Sequence, residues 1–175
     1  AISADGTKIP YFIVRKSGLF NGGAAPTLLY AYGGFQISTT PWYWSSAGKL
    51  WLEKGGAYAI ANIRGGGEFG PGWHAAATRE NRQKNFDDLA AVARDMIARG
   101  LTTPRQLGLF GTSQGGLLVA GTFVQYPELF SAVVAQVPLT DMMRYTKLAA
   151  SKNWVAEYGD PADPHMRDII AQWSP

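Results

Sequence analysis

Ser113 has the setting that most clearly suggests chemistry. It stands at the centre of GTSQG, residues 111–115, directly after the apolar run LGLF. Gly-x-Ser-x-Gly at the end of a strand suits a sharp strand-to-helix turn with the serine at its apex, hydroxyl outward and backbone strained. Glycines flank such a serine because side chains there would collide with the neighbouring strand and helix. The helix N-terminus behind it favours developing negative charge. This is the setting of a nucleophile for acyl transfer. The five residues alone also fit an ordinary turn, since Gly, Ser and Thr are common turn residues.

The flanking segments favour the elbow. RQLGLF is short and apolar, bounded by Pro104 and Gly111, as a buried strand should be. QGGLLVAGTFVQY reads as a helix ending before Pro127, with Leu117, Leu118, Gly121 and Val124 on an apolar or small face. FSAVVAQVPL reads as a second apolar strand. Strand, elbow, helix and strand make a parallel crossover unit.

A serine nucleophile needs a base, and the base an orienting acid. The chain has two histidines, His74 and His165. His74 precedes Ser113, the wrong order for elbow hydrolases. His165 lies in the polar run PADPHMRD and reads as a surface residue. Asp141 could serve as an acid, and equally as a cap for the segment DMMRYTKLAAS. The spacing therefore supplies no convincing base.

Two glycine-bearing stretches compete for a role. GGGEFG, residues 65–70, satisfies Gly-x-Gly-x-x-Gly, but Pro71 and Gly72 follow and no helical period begins until about Phe86. A dinucleotide site needs a helix opening on the glycines, so a structural turn is the better reading. YAYGGF, residues 30–35, ends a buried strand in two glycines that let backbone approach a ligand. Spacing alone makes Tyr32 an ordinary half-buried aromatic.

The remaining elements alternate between strand and helix. KIPYFIVRK, TLLYAYGGF and AYAIANI read as strands, and SAGKLWLEKG as a short helix with Gly55 just beyond its end. FDDLAAVARDMIARG is the clearest helix. Asn85 is its expected cap, and Asp87 and Asp88 fall in the expected first turn. Phe86, Leu89, Ala90, Ala93, Met96 and Ile97 line one face, and Gly100 ends it. PADPHMRDIIAQWS reads as a last helix. The pattern predicts an α/β fold with a largely parallel sheet.

Composition narrows the classes. In 175 residues, 46% hydrophobic and 17% charged content is enough for one folded domain. The net charge of +3 comes without a Lys/Arg block, which gives nucleic-acid binding little support. With no cysteine, disulfides, thiol nucleophiles and thiolate metal sites are excluded, while the compartment, cytoplasmic or periplasmic, stays open. No apolar run reaches membrane-spanning length, so no membrane partner is expected.

Several stretches together resemble the catalytic domain of the prolyl oligopeptidase family of serine peptidases. They are DGTKIPYFIV, YAYGGFQIS, AIANIRGGGEFGPGWH, GTSQGGLLV, LFSAVVAQVPLTDM and NWVAEYGD, in family order across nearly the whole chain. NIRGGGEFG joined to a downstream GTSQGG is more specific than either alone. The resemblance implies an α/β-hydrolase fold, usually accompanied by a β-propeller that screens the site. It implies Ser113 as nucleophile, with Tyr32 and the backbone N–H of Gln114 as oxyanion donors. The family often has asparagine where Gln114 stands, which leaves a backbone role intact. Trp154 matches a tryptophan that stacks on a substrate proline ring, and Phe35, Leu139 and Tyr158 match other lining positions.

The same resemblance puts the family's acid, histidine and a substrate-steadying arginine beyond the point matching QWSP. Residues 1–175 are accordingly expected to be part of an α/β-hydrolase domain, without the propeller and inactive alone. A sheet cut before its last strands would leave an open edge prone to self-association. The implied activity is hydrolysis of short peptides after proline, with no metal or cofactor required. Alternatives are an acylaminoacyl- or dipeptidyl-peptidase-like hydrolase, an esterase, or a non-catalytic binding module.

Overall fold

The computed structural model describes residues 1–18, 23–148 and 151–175. Five strands form one sheet in the order β1-β3-β2-β4-β5. They are β1 Tyr11–Arg15, β2 Thr27–Tyr30, β3 Ala57–Ala61, β4 Leu107–Thr112 and β5 Ala132–Gln136. β1 runs antiparallel to β3, and every other pairing is parallel. The largely parallel α/β sheet expected from the sequence is present, with one antiparallel edge.

Residues in register across the sheet share a face. Leu29 sits opposite Ala59 and Leu109, and all three are fully buried. Helices α3, Gln83–Ala98, and α4, Gln114–Gln125, cover that face. α3 buries Phe86, Leu89, Ala90, Ala93 and Met96 as its period predicts, and Gly100 follows it at φ +69°. The opposite face carries Tyr30 and Phe110, packed against Trp42 and Trp44 from the segment leading into α1. α1 begins as Ser45–Ala47 and continues through a wider π-type turn, Gly48–Leu52. Short helices α2, Pro71–Ala75, and α5, Val155–Tyr158, flank the C-terminal end of the sheet, and α6 spans Pro164–Trp173.

Three local expectations are overturned. Val124 is 61% exposed instead of buried. At 3.6 residues per turn it lies roughly 120° around the axis from Leu118, while Thr122 takes the inward position and Gly121 abuts Phe86. Asn85 does not cap α3. The helix starts two residues earlier, so Asn85, Asp87 and Asp88 all stand inside it. Asn85 and Asp88 are fully buried, because each has partners on other segments that outweigh an end-cap role. Third, a helix does begin right after the glycine loop: α2 has Pro71 at its first position, where a missing N–H costs nothing.

Arg64 holds that glycine loop in place. Its guanidinium pairs with buried Asp88 at 2.6 Å and with Asp5 at 2.5 Å. The Arg64 contact keeps the Asp5 carboxyl well below the usual carboxylate range. The N-terminal segment, the loop and α3 are thereby joined. No helix among the described residues is long and apolar enough to cross a membrane.

Candidate active site

β4 ends at Thr112 and α4 begins at Gln114, leaving Ser113 alone at the junction. Its backbone has φ 57° and ψ −116°, a conformation costing a non-glycine residue about 1–3 kcal/mol. Two hydrogen bonds hold it there: Ser113 N–H donates to Gln136 O at 2.9 Å, and Leu117 N–H donates to Ser113 O at 3.1 Å. The elbow expected from GTSQG is therefore present.

The flanking glycines are required sterically. A Cβ on Gly111 would lie 1.9 Å from the carbonyl oxygen of Gly115, which is backbone and cannot move aside. A Cβ on Gly115 would meet the Ala31 carbonyl at 2.8 Å and press on Tyr32. Gly111→Ala is expected to destabilise the fold by about 1–3 kcal/mol through overpacking. Urea unfolding of the variant beside the unaltered protein measures it, and an unchanged midpoint would contradict this packing.

Tyr32 lies on the loop after β2, pressed against the start of α4. Its hydroxyl lies beside the Ser113 side chain. Burial pushes the phenol above its ordinary value, so it stays protonated and able to donate through neutral pH. Gln114 is the first residue of α4, so its amide has no acceptor within the helix. The Tyr32 phenol and the Gln114 backbone N–H thus both lie beside Ser113.

Several buried polar side chains fix the Tyr32 loop. Asn85 Nδ2 donates to Gly33 O at 2.8 Å and to Arg64 O at 2.7 Å. Tyr158 Oη donates to Gln114 Oε1 at 2.6 Å. Phe35 N–H donates to Glu157 Oε1 at 3.0 Å. Phe35 and Gln36 carry φ values of 53° and 55°, so the turn itself is strained. The glycine loop packs on the same turn, since Gln36 N–H donates to Gly65 O and Gly67 N–H donates to Ile37 O. A Cβ on Gly67 would strike Gln36 O at 2.1 Å. Close packing thus accounts for Gly65, where a Cβ would strike Gly33 O at 2.4 Å, and for Gly67, while Gly70 has open space around it and a φ of 86°.

Sequence reasoning missed Asn85, the side-chain role of Gln114, and Glu157. For Asn85 a signal existed: with Asp88 it puts polar residues three apart on the buried side of α3. Glu157 carries no local signal.

Phe35, Leu139, Trp154 and Tyr158 lie in one region of the structure. Trp154 and Leu139 share a groove of about 260 Å³ with Pro138, Thr140, Asp141, Tyr145 and Leu148. Phe35 meets Trp154 edge-to-face, ring centroids 6.3 Å apart, and Tyr158 likewise at 5.7 Å. Tyr158 is fully buried behind Phe35, so it backs the wall and does not face solvent.

Neither histidine is hydrogen-bonded to Ser113. His74 Nε2 lies 2.8 Å from Glu157 Oε2, and His165 is an exposed residue near the start of α6. Asp141 accepts from the backbone and guanidinium of Arg144, which hold its carboxyl below its ordinary value. It caps a local turn there. Beyond it residues 145–147 make a short helical turn, another opens at Ser151, and residues 149–150 of the segment DMMRYTKLAAS lie outside the described residues.

A mostly parallel sheet, a crossover helix and a strained serine between strand and helix define an α/β-hydrolase fold. The Prolyl oligopeptidase family profile matches residues 42–175. A relative described as an uncharacterized peptidase, from Sinorhizobium fredii, is 56% identical over 175 residues, covering 100% of this chain and 24% of its own. The structure of a post-proline cleaving enzyme from Rickettsia typhi matches with a TM-score of 0.97 at 47% identity, covering 100% of this chain and 25% of that one. Prolyl oligopeptidase B from Galerina marginata, bound to a 25mer macrocyclization substrate, matches with a TM-score of 0.95 at 38% identity over 100% of this chain and 24% of that one. The chain belongs to the prolyl oligopeptidase family of serine peptidases. It spans about a quarter of the length of the relatives it matches.

Proposed function

We propose that this chain supplies the nucleophile, the oxyanion donors and part of the substrate pocket of a peptidase that cleaves short peptides on the carboxyl side of proline. The Tyr32 hydroxyl placed beside Ser113 at the strained elbow carries the reading. The Ser113 hydroxyl attacks the scissile carbonyl carbon while a base supplied by the full-length protein takes its proton. The carbonyl oxygen becomes an oxyanion facing the Tyr32 hydroxyl and the Gln114 N–H. Collapse of the adduct expels the amine, which takes up the proton, and leaves an acyl-enzyme on Ser113. Water then releases the acid by the same route.

Specificity for proline rests on Trp154. A flat indole beside the groove suits stacking on a pyrrolidine ring, with Phe35 bracing it and Leu139 across the groove. Trp154→Ala in the full-length protein carrying this segment is expected to lower kcat/KM after proline roughly ten-fold more than after alanine. Paired fluorogenic peptides differing only at that residue measure it. Equal losses would assign Trp154 to the fold alone, and an initial preference for alanine would favour the acylaminoacyl-peptidase alternative.

A further inference from the structure

Glu157 is a buried carboxylate that no step above uses. It stands between Trp154 and Tyr158 on one short segment, yet it faces the Tyr32 loop. One oxygen, Oε1, accepts from Phe35 N–H at 3.0 Å and from Arg82 Nη1 at 3.0 Å. The other, Oε2, lies 2.8 Å from His74 Nε2. Arg82 is fully buried, and its guanidinium lies 4.9 Å from the centre of the Tyr158 ring. A carboxylate this deep is retained only with paired charge and hydrogen bonds, and these partners supply both.

The geometry points to Glu157 as a positioning residue that locks the oxyanion donor to the pocket wall. This rests on the roles proposed above for Tyr32 and Trp154. Phe35 belongs to both parts of the site. Its backbone lies three residues from Tyr32 in a turn of positive φ, and its ring packs on Trp154 and Tyr158. The Phe35 N–H bond to Glu157 Oε1 joins that turn to the segment bearing the two aromatics. His74 and Arg82 hold the carboxylate from the glycine-loop side, which fixes where the turn can sit. Without the acceptor, the strained turn loses one of the bonds that oppose its relaxation, and the Tyr32 hydroxyl shifts relative to Ser113. Displacements of about 1 Å at reacting groups can cost on the order of 100-fold in rate.

Removing Glu157 alone would strand the buried Arg82 cation, so the test uses charge-neutral pairs in the full-length protein. Arg82→Met with Glu157→Gln keeps a carbonyl for Phe35 N–H. Arg82→Met with Glu157→Leu has similar bulk and no acceptor. The leucine pair is expected to show kcat on a post-proline peptide roughly 10- to 100-fold below the glutamine pair. That difference should shrink to within two-fold or so in a Tyr32→Phe background, because the acceptor acts through Tyr32. Glu157→Asp, which keeps both charges and withdraws the oxygen by one methylene, should give a loss of the same kind if the leucine pair fails to fold. Equal kcat in the two pairs, or a loss undiminished in the Tyr32→Phe background, would overturn the positioning role. If Tyr32→Phe itself leaves kcat unchanged in the otherwise unaltered protein, the proposed mechanism fails instead, so the two failures are distinguishable.

Discussion

Ser113→Ala in the full-length protein carrying this segment is expected to reduce kcat on a post-proline peptide by about 10⁴-fold or more, with the fold intact. The size follows from covalent catalysis. Without the hydroxyl no acyl-enzyme forms, and only the weak acceleration from the oxyanion donors and substrate binding remains. Alanine should be tolerated structurally, although the backbone at φ 57° still disfavours any side chain. Steady-state kinetics with a fluorogenic glycyl-prolyl substrate gives the rate. Labelling by a fluorophosphonate, followed by peptide mapping, tests the atom: the adduct should fall on Ser113 and vanish in the variant. Retained turnover, or an adduct on another serine, would remove Ser113 from the chemistry.

Tyr32→Phe should come second in size, lowering kcat by about 10²–10³-fold while KM changes little. The oxyanion exists only in and near the transition state, so a donor aimed at it contributes little to ground-state binding. Removing one oxygen leaves the ring in its place against Gly115, where it packs on the start of α4. Because burial raises the phenol above its ordinary value, the unaltered enzyme should show no activity loss from Tyr32 ionisation near neutral pH. A matched rise in KM with unchanged kcat, chemistry being rate-limiting, would mean that the hydroxyl only binds substrate.

The elements nearest the chemistry were legible because their causes are local. Gly111 marks a tight turn around Ser113 through a contact with Gly115 four residues on, and the apolar runs beside them fit only a strand and a helix. The buried face of α3 follows from a 3.6-residue period. The N-terminus of that helix did not follow, since Asn85 and Asp88 serve partners on other segments. Val124 was misread for a related reason: an apolar residue at the edge of a helical face is buried only if another element covers it.

Tyr32 and Trp154 could be assigned roles only through their resemblance to a family, because spacing does not say which segments meet. In the folded chain, strand order decides. β2 pairs with β4, so the loop bearing Tyr32 lies over the elbow. Packing at the C-terminal end of the sheet then brings Glu157 to Phe35, 122 positions away, and Tyr158 to Gln114, 44 positions away. By itself the sequence determined the elbow, the α/β alternation and the main helix face. Tertiary structure decided which polar side chains hold the Tyr32 loop, and that Tyr158 stands buried behind Phe35. Backbone preference acts between neighbours and shows as composition and period. A buried hydrogen bond joins residues that only the completed packing brings within 3 Å or so, and no local pattern records it.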